Sequence, residues 1–79
     1  MVLLLVIPAG HLFSQELADT AAITKTAEEA YTMARRNPDT AIMISHQALT
    51  ASRKLNYIKG MADASLALGM AYLAKYNPG

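Results

Sequence analysis

The chain lacks several features that hold small proteins together or identify enzymes. It has no cysteine among its 79 residues, which excludes a disulfide and a thiolate metal site. Its two histidines, His11 and His46, are far apart and have no carboxylate set beside them, so we expect no metal. Tryptophan is absent, and no glycine occurs between Gly10 and Gly60. A chain this short buries little surface, so its stability has to come from close packing.

The charge balance is nearly even. Seven Lys and Arg residues face six Asp and Glu residues, for a net charge of +1, and the two signs are interspersed. This excludes the basic surface typical of nucleic-acid binding and also an acidic tail. The sequence contains no Gly-rich phosphate loop, no Ser-His-Asp set and no Cys-His set. We therefore expect no nucleic-acid partner, no cofactor and no catalytic activity.

The N-terminal segment differs from the rest of the chain. It is apolar from Val2 to Ala9, and polar sequence begins at Ser14. A membrane-spanning helix needs about 20 apolar residues, whereas the apolar part of a secretory signal peptide has about 7 to 15. We predict a signal peptide over residues 1–15. No Lys or Arg precedes the apolar run, so the alternative is an apolar N-terminal helix that packs on the remainder.

Residues 16–79 have the pattern of an all-α protein, because apolar residues recur at three- and four-residue steps instead of alternating. We predict a first helix from about Leu17 to Arg36, a second that starts at Pro38, and a third from about Tyr57 to Tyr76. Pro38 disfavours a helical backbone at Asn37. Asn56 is suited to the left-handed residue that ends the second helix.

Each predicted helix has a stripe of residues that we expect to be buried. In the first helix the stripe is Ala27, Ala30, Tyr31 and Ala34, and in the second it is Ala41, Ser45, Ala48, Ser52 and Leu55. In the third helix it is Ile58, Met61, Ala62, Ser65, Leu68, Gly69, Tyr72 and Tyr76. The third helix also has an apolar row of Leu66, Met70 and Leu73, so we expect it to have neighbours on two sides.

The stretch LALGMAY, with Leu68, Gly69 and Tyr72, resembles the first-helix signature of the tetratricopeptide repeat, which contains L-G-x-x-Y. The preceding DTAIMISHQAL, with Ala41 and Ala48, resembles a second helix of that repeat. The stretches NPDTA and RKLNYIKG look like linkers in exported sensor and regulator proteins of the Bacteroidota. The resemblance covers 22–79, about one and a half repeats, with a step between first helices nearer 39 residues than 34.

This resemblance implies a fold of antiparallel helix hairpins in a TPR-like α-solenoid, of which 16–79 would be an N-terminal fragment. The residues it assigns to packing between helices are Ala30, Ala41, Ala48, Leu68, Gly69 and Tyr72. Gly69 would allow the second helix of its own repeat to approach closely. The residues it places on the concave face, as peptide contacts, are Ala27, Tyr31, Arg35, Asp63, Leu66, Met70 and Ala74.

The function implied is that of a non-catalytic scaffold that binds a protein or peptide, or packs against the rest of its own array. The alternative is a structural capping segment that seals the end of an array and has no ligand. The resemblance also implies an exported protein on the periplasmic side of a diderm bacterium. Its contact with the membrane would arise only through export or a downstream anchor.

Overall fold

The computed structural model describes residues 19–76. They form α1 (Thr20–Met33), α2 (Pro38–Lys54) and α3 (Ile58–Tyr76), and each of these helices packs against the other two. The described range contains no strand, so the predicted all-α class is confirmed. Within that range no helix is both long and apolar enough to cross a membrane. The predictions for residues 1–18 and 77–79 lie outside the described residues.

Local side-chain chemistry explains where the helices begin and end. Asp19 accepts a hydrogen bond from the backbone N–H of Ala22 at 2.8 Å, as a helix-capping side chain does. Asn37 precedes α2, and its side chain accepts from the N–H of Thr40 at 3.4 Å. Asn56 has a φ of 54°, which confirms the predicted left-handed residue after α2. The predicted helix boundaries agree with the structure within a few residues.

Two clusters of buried apolar side chains determine the directions of the helices. The first cluster contains Ile23, Ala27, Ala48 and Ala64. The second cluster contains Ala34, Ala41 and Ala71. From the first cluster to the second, the residue numbers rise in α1 and α3 but fall in α2. The helices α1 and α3 therefore run parallel, and α2 runs antiparallel to both.

The buried residues of α1 and α2 agree with most of the prediction. In α1 and at its C-terminal cap, Ala27, Ala30 and Ala34 are buried, together with Ile23, which the prediction omitted. In α2 the buried residues are Ala41, Ser45, Ala48 and Ser52. Tyr31 and Leu55 were predicted to be buried, but they are 49% and 44% exposed. The core is thus built almost entirely from small side chains.

The predicted buried stripe of α3 is wrong. None of its eight residues is fully buried, and Ile58 and Tyr76 are 71% and 69% exposed. The residues that are buried instead are Gly60, Ala64, Ala67 and Ala71. At about 100° per residue these lie on the opposite side of the helix from Gly69 and Tyr76. The side of α3 that faces α1 and α2 is therefore the side with the smallest residues.

Gly60 is the point of closest approach. A Cβ atom on Gly60 would lie less than 3.0 Å from the side chains of Ser52, Tyr57 and Ile23. Around Gly69, by contrast, no atom of the described helices would lie within 4 Å of an added Cβ. The close contact predicted at Gly69 is therefore not made among the described helices. Gly60, which the prediction did not single out, occupies such a position.

This difference gives a matched pair of substitutions. Gly60→Ala should lower the free energy of unfolding by about 1–3 kcal/mol, because the new methyl group overpacks three neighbours. Gly69→Ala should raise it by up to about 1 kcal/mol, because alanine favours the helix and meets open space. Thermal unfolding followed by circular dichroism measures both. If Gly60→Ala is as stable as the original chain, the close approach at Gly60 is incorrect.

Ser45 places a polar side chain in the core. Its Oγ is buried and has no hydrogen-bond partner within the part of the chain that the structure describes. Ser52 lies on the same stripe, but its Oγ donates to the carbonyl oxygen of Ala48 at 2.7 Å. A buried polar atom without a partner costs about 1–3 kcal/mol. Ser45 is therefore a destabilising residue at the centre of α2.

We expect Ser45→Ala to stabilise the protein by about 1 kcal/mol, because it removes this unpaired hydroxyl and adds a better helix former. Ser52→Ala serves as the control. It removes a hydroxyl that is already bonded, so it should give little or no stabilisation. Urea unfolding measures both changes. A lower midpoint for Ser45→Ala than for the original chain would mean that its hydroxyl is paired in solution.

Candidate functional site

The parallel helices α1 and α3 lie side by side, and six of the seven predicted peptide contacts, which lie on these two helices and in the turn after α1, are exposed or half-buried. We call these six residues the α1–α3 surface: Tyr31, Arg35, Asp63, Leu66, Met70 and Ala74. Tyr31 is 49% exposed and Leu66 is 58% exposed. Arg35, in the turn after α1, is exposed, whereas Asp63, Met70 and Ala74 are half-buried. The surface thus combines apolar side chains with one base and one acid.

Ala27, the seventh predicted contact, is misassigned. It is only 1% exposed, and it packs in the cluster that also contains Ala48 and Ala64. Because α3 lies directly beside α1, the side of α1 that carries Ala27 forms the interface between the two helices. A peptide cannot reach Ala27 in this structure, so it is a core residue.

Met70 combines packing with partial exposure. It packs against the cluster of Ala34, Ala41 and Ala71, where α1, α2 and α3 meet. A methionine in such a position fills irregular space and stays adaptable, since its side chain is flexible and polarizable. Met70 is therefore a half-buried member of the α1–α3 surface, whereas Tyr31 and Leu66 are more exposed to solvent.

Ion pairs neutralise part of the charge around this surface. Lys59 Nζ lies 2.7 Å from Asp63 Oδ2, one helical turn further along α3. The hydrogen bond and charge of Asp63 raise the pKa of Lys59, and Glu28 adds a smaller effect. Arg35 has no ion-pair partner among residues 19–76.

A second ion pair connects α3 with α2. Lys75 Nζ lies 2.7 Å from Asp39 Oδ1, and the hydrogen bond and charge of Asp39 raise the pKa of Lys75. A lysine with a raised pKa stabilises the fold fully below its ordinary pKa, and this contribution disappears as the pH rises through the raised value. Both pairs are largely exposed and contribute little to stability.

The helix α3 also presents a continuous apolar face, which we call the outward face of α3 and which shares Leu66 with the α1–α3 surface. Its members are exposed and none is charged: Ile58, Ala62, Ser65, Leu66, Gly69, Tyr72, Leu73 and Tyr76. The rings of Tyr72 and Tyr76 stack at a centroid distance of 6.0 Å. Large exposed apolar patches are uncommon on single soluble domains and mark surfaces that bind another element.

The polar groups near α1 and α3 serve structure in ways that the sequence did not reveal. Thr24 Oγ1 and Tyr57 Oη share a hydrogen bond of 2.8 Å, which ties the loop before α3 to α1. The ring of Tyr57 also lies against Gly60.

Within residues 19–76 there is no group of three histidine or carboxylate side chains that could hold a metal. The sequence feature that could have identified Gly60 as a buried residue is the row of small residues that it begins at four- and three-residue steps: Gly60, Ala64, Ala67 and Ala71.

The described surfaces are therefore suited to binding through apolar contacts, with charges at the edge. Comparison of the chain with known protein families, with curated proteins and with solved structures finds no match.

Proposed function

We propose that this chain is part of a non-catalytic, tetratricopeptide-type scaffold that binds a protein or peptide segment on its α1–α3 surface. The observation that carries the proposal is the arrangement of the helices. Two parallel helices lie side by side, and an antiparallel helix packs against both. Repeats of this type stack helix hairpins in the same way and present one helix of each hairpin on a shared surface.

A correspondence between sequence positions in α1 and α3 supports the proposal that the two helices belong to successive repeats. The buried residues of α1 and its C-terminal cap are Ile23, Ala27, Ala30 and Ala34. The residues 39 positions later are Ala62, Leu66, Gly69 and Leu73, and all four are exposed on the outward face of α3. The positions that α1 uses to pack against its neighbours are thus the positions that α3 leaves open. This is expected if α3 begins a second copy of the unit that α1 begins.

A second recurrence in the sequence favours a longer array. The dipeptide Asn37-Pro38, which separates α1 from α2, recurs 40 residues later as Asn77-Pro78, one residue beyond the 39-residue step between the helices. In an array, a helix after Asn77-Pro78 would cover the outward face of α3 as α2 covers α1. Such arrays need about three or more repeats for stability, because one repeat cannot bury its own apolar face. We propose that the chain belongs to a larger sensor or scaffold protein.

The 39-residue correspondence also reduces the set of residues that we propose as peptide contacts. Leu66 matches Ala27 at the 39-residue step, and Ala27 is buried against α3. We therefore assign Leu66 to packing within an array. Met70 matches Tyr31, which is 49% exposed. Tyr31 and Met70 thus form the row that stays open when helices stack, and they are the contacts we propose for an extended or helical peptide.

The alternative function, a structural cap, also has an observation in its favour. The exposed side of α1 carries Lys25, Glu29, Thr32 and Arg36. A polar outer face is what the terminal repeat of an array requires for solubility. The alternative proposal is that α1 seals one end of an array and binds no ligand. The two functions differ in whether the α1–α3 surface recognises a peptide.

The binding function predicts that Tyr31 is required for peptide recognition. A peptide selected on the chain from a displayed random library should bind Tyr31→Ala at least about tenfold more weakly, equivalent to about 1.4 kcal/mol. The melting temperature should change little, because Tyr31 is half exposed. Fluorescence anisotropy with the labelled peptide gives the dissociation constants.

Met43→Ala is the matched control, because Met43 is a 54% exposed apolar residue on α2. It should bind the peptide like the original chain. Equal affinity for Tyr31→Ala and the original chain would contradict the proposed surface. If excess unlabelled chain competes for none of the selected peptides, their binding is not specific, and this result would favour the capping function.

We further propose that the protein is exported, with residues 1–15 as a signal peptide. The support is the uncharged apolar run before Ser14, which has the length of a signal-peptide core. Periplasmic location in a diderm bacterium follows from the resemblance to exported sensor proteins.

Export predicts removal of the N-terminus. When the chain is expressed with a C-terminal tag in a diderm bacterium, the mature protein should begin near Ser14 to Glu16. N-terminal sequencing of the periplasmic fraction checks this. As a control, Leu4→Lys combined with Val6→Lys should block processing, because charges disrupt the apolar core. A mature protein that retains Met1 would contradict export and favour an apolar N-terminal helix.

A further inference from the structure

We draw no further inference here: the strongest candidate, the uncharged outward face of α3 around Gly69, carries nothing beyond the array proposed above, because nothing in the described residues shows whether a second copy of this chain or a separate helix covers it.

Discussion

The close approach of α3 to α1 and α2 is the constraint on which the rest of the structure depends. It is closest at Gly60, where the side chains of Ser52, Tyr57 and Ile23 occupy the space that a Cβ atom would need. Alanines on all three helices continue the same contact. Each alanine buries little area, so stability comes from many short-range contacts between closely spaced backbones. Larger residues on the facing sides would separate the helices.

This constraint also places the large apolar residues of α3 on the surface. Since the inner side of α3 accepts only small residues, Ile58, Leu66 and Leu73 lie on the outward face, with 71%, 58% and 58% exposure. The proposed repeat function depends on this arrangement, because a stacking unit needs one closed side and one open apolar side. The proposed α1–α3 surface depends on the same close packing, since only neighbouring helices can contribute residues to one surface.

The sequence predicted the helix boundaries because the signals at Pro38 and Asn56 are local. It predicted the α2 stripe well, since polar residues occupy the opposite side of that helix. It failed for α3, because small or apolar residues line both sides of this helix, and periodicity alone allows either side to be the buried one. The choice between them depends on the fit of Gly60 against Ile23 and Tyr57, which are on other elements. Ala27 was predicted both as a buried residue and as a peptide contact, and only its burial is confirmed, because the position of α3 beside it is a tertiary property.

The orientation of α3 is the central claim, and methyl nuclear Overhauser effects on the isotope-labelled chain test it most directly. The inward orientation predicts cross-peaks from the Ala64 methyl to Ala27 and from the Ala71 methyl to Ala34, which share the two clusters. It predicts no cross-peaks from the Leu73 methyls to Ala27 or Ala34. Cross-peaks from Leu73 to Ala27 or Ala34, with none from Ala64 and Ala71, would contradict the account.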